Sequence, residues 1–137
     1  MINARENLLN ITNKLLTAGL NHGATGNCSC RDSGGFLITP TGVDSSKLTT
    51  DMMVRMNLSD NLSQPESKYQ PSSEWQFHQA ILEKYPEINA VVHTHSVFAS
   101  SLSVLGQEIP AFHYMIAVAG GNSVRCAPYA MFGTNEL

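Results

Sequence analysis

Two histidines and a glutamate are the residues of this chain best placed, by type and spacing, to do chemistry. His93 and His95 close the run Asn89-Ala-Val-Val-His-Thr-His95. Its apolar lead-in, Ala90, Val91 and Val92, predicts a short buried strand that holds the pair rigidly. Side chains alternate along a strand, so the two imidazoles share a face while Thr94 takes the other. Two residues of rise set them roughly 6–7 Å apart. From there they can converge on one metal ion held at about 2.0–2.1 Å from each nitrogen. Alone, the same pattern is equally a polar strand edge.

The element before this strand must position the third group. Pro71-Ser-Ser-Glu-Trp-Gln76 predicts a helix start, with Ser73 and Gln76 as a capping box. Phe77, Ile81 and Leu82, with His78 and Tyr85 beside them, give its apolar face, and Pro86 marks its stop. Free amides and the positive dipole at such a helix end attract a phosphate or carboxylate. Ser72 and Ser73 add hydroxyl donors. Glu74 stands in the first turn, where the dipole alone also favours an acidic residue. A short turn leads from this helix into the histidine strand. An antiparallel return along that helix–strand unit would bring Glu74 and the histidines together.

Two glycine-containing loops are further candidates. Leu20-Asn-His-Gly-Ala-Thr-Gly-Asn27 leads into a strand, and its glycines permit a backbone that aims amide groups at an anion. Thr39-Pro-Thr-Gly42 offers small hydroxyls and a glycine. Either is also an ordinary turn when taken alone.

Around these, the pattern predicts an amphipathic helix over 3–18, with Leu8, Leu9, Leu15, Leu16, Ile11 and Ala18 on its stripe and Gly19 as its end. Strands over 28–31 and 36–39 flank the turn Asp32-Ser-Gly-Gly35 as a hairpin. A helical turn is expected at 45–48, a strand at 52–58 and an exposed polar loop at 59–71. A further helix is expected at 96–105, with Ser96 as its N-cap. Residues 109–115 read as extended, with His113 and Tyr114 on opposite sides. Residues 117–121 are small and flexible, 123–128 read as a strand, and Thr134 with Glu136 as a helix start. His22, His78 and His113 stand alone and read as hydrogen-bonded residues rather than ligands. Cys28, Cys30 and Cys126 form no disulfide or zinc spacing and read as small strand residues.

The 137 residues suit one domain able to bury a core unaided. With 42% apolar and 14% charged residues the composition is that of a soluble domain. A formal charge of −3 argues against a general nucleic-acid or anionic-membrane surface. No apolar run approaches the roughly 20 residues of a membrane span. The start, Met1-Ile-Asn-Ala-Arg-Glu, lacks a signal peptide's basic and apolar regions, so the cytoplasm is the expected location.

Taken together, these stretches resemble the class II aldolase/adducin family. The resemblance runs through residues 19–27, 37–42, 71–74, 91–95, 109–121 and 126–137, in order and at the family's spacing. It implies a three-layer α/β/α fold, with a central mixed but largely antiparallel sheet. It implies that His93 and His95 are zinc ligands, and that Glu74 is an acid/base group that also touches the metal. Gly26 with Asn27, Thr41 with Gly42, and Ser72 with Ser73 would hold a substrate phosphate. Tyr114 would reach a neighbouring subunit's site in a homotetramer and handle a proton on the aldehyde side. The implied reaction is zinc-dependent cleavage of a phosphorylated ketose, of the L-fuculose 1-phosphate type, to dihydroxyacetone phosphate and an aldehyde. Zinc would act there as a Lewis acid on the developing enediolate.

Two departures qualify what the resemblance implies. Ala24 stands where relatives carry a hydroxyl residue, which retunes phosphate affinity. The family's third zinc histidine and further core helices have no counterpart here. That implies an incomplete domain over 1–137, impaired activity and an apolar sheet face left open. Epimerase or dehydratase chemistry on a sugar phosphate, or a non-catalytic relative, are the competing expectations.

Overall fold

The computed structural model describes residues 3–58 and 67–137. The expected loop at 59–71 therefore falls largely outside the described residues. Its architecture grows from a hairpin. Strand β1 (Asn27–Asp32) turns through Ser33 and Gly34 into β2 (Gly35–Ile38), with Cys30 opposite Leu37. β3 (Val54–Asn57) adds beside β2, and β4 (Ala90–His93) adds beside β1. The order is β3-β2-β1-β4, and every pairing among the described residues is antiparallel, in keeping with the mixed but largely antiparallel sheet that the resemblance implies.

Alternation along β2 builds two cores on opposite faces. Phe36 and Ile38 pack with Val54, Met56 and Leu82 of helix α2 (Trp75–Lys84), joined by the half-buried Trp75, Ile88 and Val91. Leu37 packs the other way with Cys28, Met53 and Leu8 of helix α1 (Ala4–Thr17). The molecule is thus a three-layer α/β/α arrangement, each large buried side chain contributing about 1.5–3 kcal/mol. Burial pushes the Cys28 thiol up to about 11 and raises that of Cys30 as well. Both remain inert core-lining thiols.

α1 starts on a capping box between Asn3 and Glu6. Its buried line is Leu8 and Thr12, with Leu9 and Leu15 half-buried; Ile11, expected on the stripe, is exposed on its flank. A short 3-10 helix at Ser45–Lys47 stands where a helical turn was expected. A second, Thr50–Met52, takes the start of the strand expected over 52–58, its turn closed by the Met52 and Met53 amides donating to the Thr49 and Thr50 carbonyls.

α2 begins one residue later than its expected cap. Glu74, not Ser73, is the N-cap, and no Ser73–Gln76 capping box forms. Ser72 Oγ accepts from the Glu74 amide, and the Gln76 side chain donates instead to Asn135. Its buried face is His78, Gln79 and Leu82, while Tyr85 caps the end and is exposed.

β4 is shorter and less buried than expected. It ends at His93, and Val92 is 49% exposed, because β4 is an edge strand paired only with β1. Helix α3 (Val97–Val104) follows from Ser96 and buries no residue; Phe98 is 87% exposed. The remainder departs from the extended pattern predicted for it. Ile109 and Val124 form one isolated bridge, and no strand forms at 123–128. Tyr114–Ala119 is a 3-10 helix, and residues 132–136 form turns rather than a helix. The open apolar surface expected on a sheet face lies instead chiefly on α3 and the residues after it, because α1 and α2 cover the two faces of β1, β2 and β3.

Candidate functional site

The antiparallel return of α2 into β4 sets Glu74 beside the histidine strand. Its Oε2 lies 3.3 Å from His93 Nδ1 and accepts a hydrogen bond of 2.6 Å from Asn27 Nδ2. The register explains the bracket, since Asn27 of β1 stands directly opposite His93 of β4. Both contacts fall on Oε2.

His95 lies beyond the strand and is held by a different device. Its amide donates to Asn21 Oδ1 at 2.9 Å and to the Leu20 carbonyl at 3.0 Å. Asn21 Nδ2 reaches back to the His93 carbonyl at 3.4 Å. Asn21 itself is 2% exposed, folded under Gly26, where the missing Cβ leaves room for it. The loop before β1 therefore clamps the chain at the end of β4. The two imidazoles do share a side, with ring centroids 4.8 Å apart and planes 11° from parallel.

Burial, and secondarily the neighbouring His95, pull His93 below the ordinary histidine range, while the Glu74 carboxylate opposes them. His93 is thus neutral near pH 7, with a lone pair to offer. Imidazole and carboxylate are donor types that a divalent metal takes. Among the described residues, no three His, Cys, Asp or Glu side chains are grouped closely enough to hold a metal ion. The fit consists of the imidazole pair, with Glu74 tied to it through His93.

A cavity of about 330 Å³ opens beside this cluster. Gly26, Asn27, Thr41, Gly42, Ser72 and Ser73 all line it, together with Glu74, His95 and Phe132. Loops 39–42 and 70–73 are laced together to form one wall: the Thr41 amide donates to Gln70, the Ser72 amide donates to Thr39, and Pro40 bridges Pro71. Among the described residues, no lysine or arginine lines the cavity. An anion there would rest on amides, hydroxyls and the N-terminus of α2. His93 opens instead onto an adjoining cleft of about 460 Å³, shared with His95, Ser100 and Tyr129.

Tyr114 is not brought to this place. It is 79% exposed, and its ring lies 4.4 Å from that of His113, side by side rather than on opposite faces, because a 3-10 helix starts there. His78 is the hydrogen-bonded core residue expected, joined to Ser29 and Asn27. His22 and His113 are exposed. Asn21 and Phe132 were not singled out from the sequence. Only their membership of the quoted stretches 19–27 and 126–137 pointed to them.

Comparison with known proteins gives the same outline. Residues 6–137 match the family described as the class II aldolase and adducin N-terminal domain. The L-fuculose phosphate aldolase of Escherichia coli (strain K12) is 52% identical over 119 residues, covering 87% of this chain and 54% of that protein. A 5-methylthioribulose-1-phosphate/5-deoxyribulose-1-phosphate aldolase of Rhodospirillum rubrum is 45% identical over 133 residues, covering 97% and 59%. A solved structure of an L-fuculose 1-phosphate aldolase superposes with a TM-score of 0.89 at 36% identity, covering 98% of this chain and 63% of that one. The chain spans about half the length of the curated relatives it matches. No helix among the described residues is long and apolar enough to cross a membrane.

Proposed function

The chain belongs to the class II aldolase and adducin N-terminal domain family, and on that premise we propose that it carries the metal- and phosphate-binding side of a zinc-dependent aldolase site. The substrate class is a phosphorylated ketose of the L-fuculose 1-phosphate type, cleaved to dihydroxyacetone phosphate and an aldehyde such as L-lactaldehyde. One observation carries this reading. Glu74 touches the imidazole pair through His93 and lines the same cavity as all six residues expected to hold phosphate.

His93 and His95 would hold the zinc, with Glu74 at its side, and zinc when bound supplies Lewis-acid polarisation of the substrate's oxygens. The chain's own residues do the rest. Gly26, Asn27, Thr41, Gly42, Ser72 and Ser73 fix the phosphate, Thr41 and Ser72 through their hydroxyls because their amides are spent on the Gln70 and Thr39 carbonyls, and with it they fix the distance from Glu74 to the breaking bond. Cleavage leaves an electron pair on the dihydroxyacetone phosphate fragment. The hydroxyl that becomes the aldehyde carbonyl gives up its proton as the bond breaks, Glu74 takes one up on Oε1 and passes it to that carbon, and the reverse direction runs the same transfers backwards, leaving the resting carboxylate ionised. Tyr114, exposed on this chain, belongs in this reading to the aldehyde side of a neighbouring subunit's site in a homotetramer. A cytoplasmic location and no nucleic-acid or membrane partner complete it.

The similarity to a methylthioribulose-1-phosphate aldolase over 97% of the chain favours a second reading of the substrate, with the same reaction on a different ketose. Release of dihydroxyacetone phosphate from L-fuculose 1-phosphate and from 5-methylthioribulose 1-phosphate, with Zn2+ present, separates the two. Glu74→Gln should abolish release from whichever is the substrate. Conversion of ribulose 5-phosphate without carbon–carbon cleavage would overturn the aldolase reading in favour of an epimerase, no turnover of any of the three would overturn it in favour of a non-catalytic relative, and full activity in Glu74→Gln would overturn the acid/base role given to Glu74.

A further inference from the structure

We propose that His78 is a positioning residue that, acting through Asn27, fixes where the Glu74 carboxylate stands. Its link to catalysis rests on Glu74 being the acid/base group; the hydrogen-bond chain itself does not. His78 lies one helical turn after Glu74, on the same side of α2, and is 0% exposed. Ser29 and Asn27 are two residues apart on β1, so both turn toward it. His78 Nδ1 is 2.7 Å from Ser29 Oγ, and His78 Nε2 is 2.5 Å from Asn27 Oδ1. Asn27 Nδ2 then meets Glu74 Oε2 at 2.6 Å.

The far end of this chain dictates the direction of every proton in it. An ionised Glu74 carboxylate only accepts. Asn27 must therefore turn its NH2 to Glu74 and its carbonyl to His78. That carbonyl can only accept, so His78 Nε2 carries the proton. Nδ1 is left with a lone pair, and the Ser29 hydroxyl donates to it. All donors point one way, from Ser29 through His78 and Asn27 to Glu74. The flipped arrangement would put the Asn27 carbonyl against a carboxylate oxygen, two acceptors with no proton between them. Burial holds His78 down to about 3, so it stays neutral and keeps the single tautomer this order requires. A buried histidine with both nitrogens bonded could be packing alone. The difference here is the terminus, since Asn27 and His93 together are what bracket Glu74 Oε2.

A long-range 1H–15N correlation spectrum of labelled protein at pH 7 tests the first half and needs no variant. The expected result is the neutral Nε2–H form of His78; the Nδ1–H form or the imidazolium overturns the inference. Dihydroxyacetone phosphate release by His78→Leu and His78→Gln tests the second. Leu fills the space without a donor, while Gln keeps an N–H near the place of Nε2. His78→Leu should lose on the order of tenfold to hundredfold in kcat, the range expected of a misplaced catalytic group, with KM within about twofold, and His78→Gln should recover most of it. Equal losses in both variants, or a loss confined to KM, overturn it. A wild-type chain with the expected tautomer but no cleavage of any ketose would sink the aldolase reading, leaving the hydrogen-bond order standing and His78 with no catalytic group to position.

Discussion

Replacing Gly26 with alanine strikes the point where the loop before β1 grips the histidine strand. Gly26 has a φ of +68°, and a Cβ built on it would lie 2.3 Å from Asn21 Oδ1, 2.4 Å from its Nδ2 and 2.5 Å from its Cγ. No side chain tolerates that approach, so Asn21 must leave. With it go the bonds to the His95 amide and the His93 carbonyl. The left-handed backbone costs a residue with a Cβ about 1–2 kcal/mol. Two lost hydrogen bonds add about 1 kcal/mol each, for a total of roughly 3–4 kcal/mol. Gly23→Ala is the control. Its φ is +58°, but nothing stands within 4 Å of the added carbon, so only the backbone cost of about 1–2 kcal/mol applies. Urea unfolding followed by circular dichroism reads the difference. At a slope of about 1–3 kcal/mol per molar urea, the two midpoints should stand on the order of 1 M apart. Gly26→Ala should also weaken Zn2+ binding where Gly23→Ala does not. Equal midpoints would refute the idea that Asn21 is wedged under Gly26 to hold His95.

Acid should destabilise the fold through His78. Its native value of about 3 lies below the ordinary 6.5, so the unfolded chain takes the proton first. The contribution is complete above about pH 6.5 and is lost as pH falls from there toward 3, by about 2 kcal/mol between pH 7 and pH 5. The stability gap between the wild type and His78→Leu should shrink by that amount, and an unchanged gap in urea melts at pH 7, 6 and 5 would contradict it. Arg31→Met should cost about 2–3 kcal/mol. Arg31 Nε donates to the Ile88 carbonyl at 2.7 Å, and its Nη2 to those of Leu82 and Tyr85, tying the end of α2 to the turn into β4. Thermal unfolding checks this; a Tm within a degree of wild type would mean the turn holds without it.

Much of the site was legible because its parts are local. Asp32-Ser-Gly-Gly35 makes its hairpin from its own turn residues, and α1 starts on the Asn3–Glu6 box. The turn Ser72–Ser73–Glu74, the helix α2 it opens and the histidine run are consecutive, so their meeting follows from chain reversal alone. What was not legible depends on distant partners. Asn21 holds His95 across 74 positions of sequence, and His78 meets Ser29 and Asn27 across 49 and 51. The burial of β4 was overestimated because the pattern Ala-Val-Val does not say whether a strand has one neighbour or two. Beyond Val97 the local pattern misled most. Residues 123–128 alternate like a strand but find a partner only at Ile109, so pairing stops at a single bridge. The Ser73–Gln76 motif failed for a similar reason, since Asn135 takes up the glutamine.

The most direct test is a Zn2+ titration of 15N-labelled protein, read on the imidazole nitrogens and followed by inorganic phosphate. A single metal gripped by the pair beside Glu74 should move the nitrogens of His93 and His95 together, saturating at one equivalent. Phosphate should then shift the amides of Gly42, Ser72 and Ser73. Zinc that perturbs only the exposed His22 and His113, leaving His93 and His95 unmoved, would contradict the site.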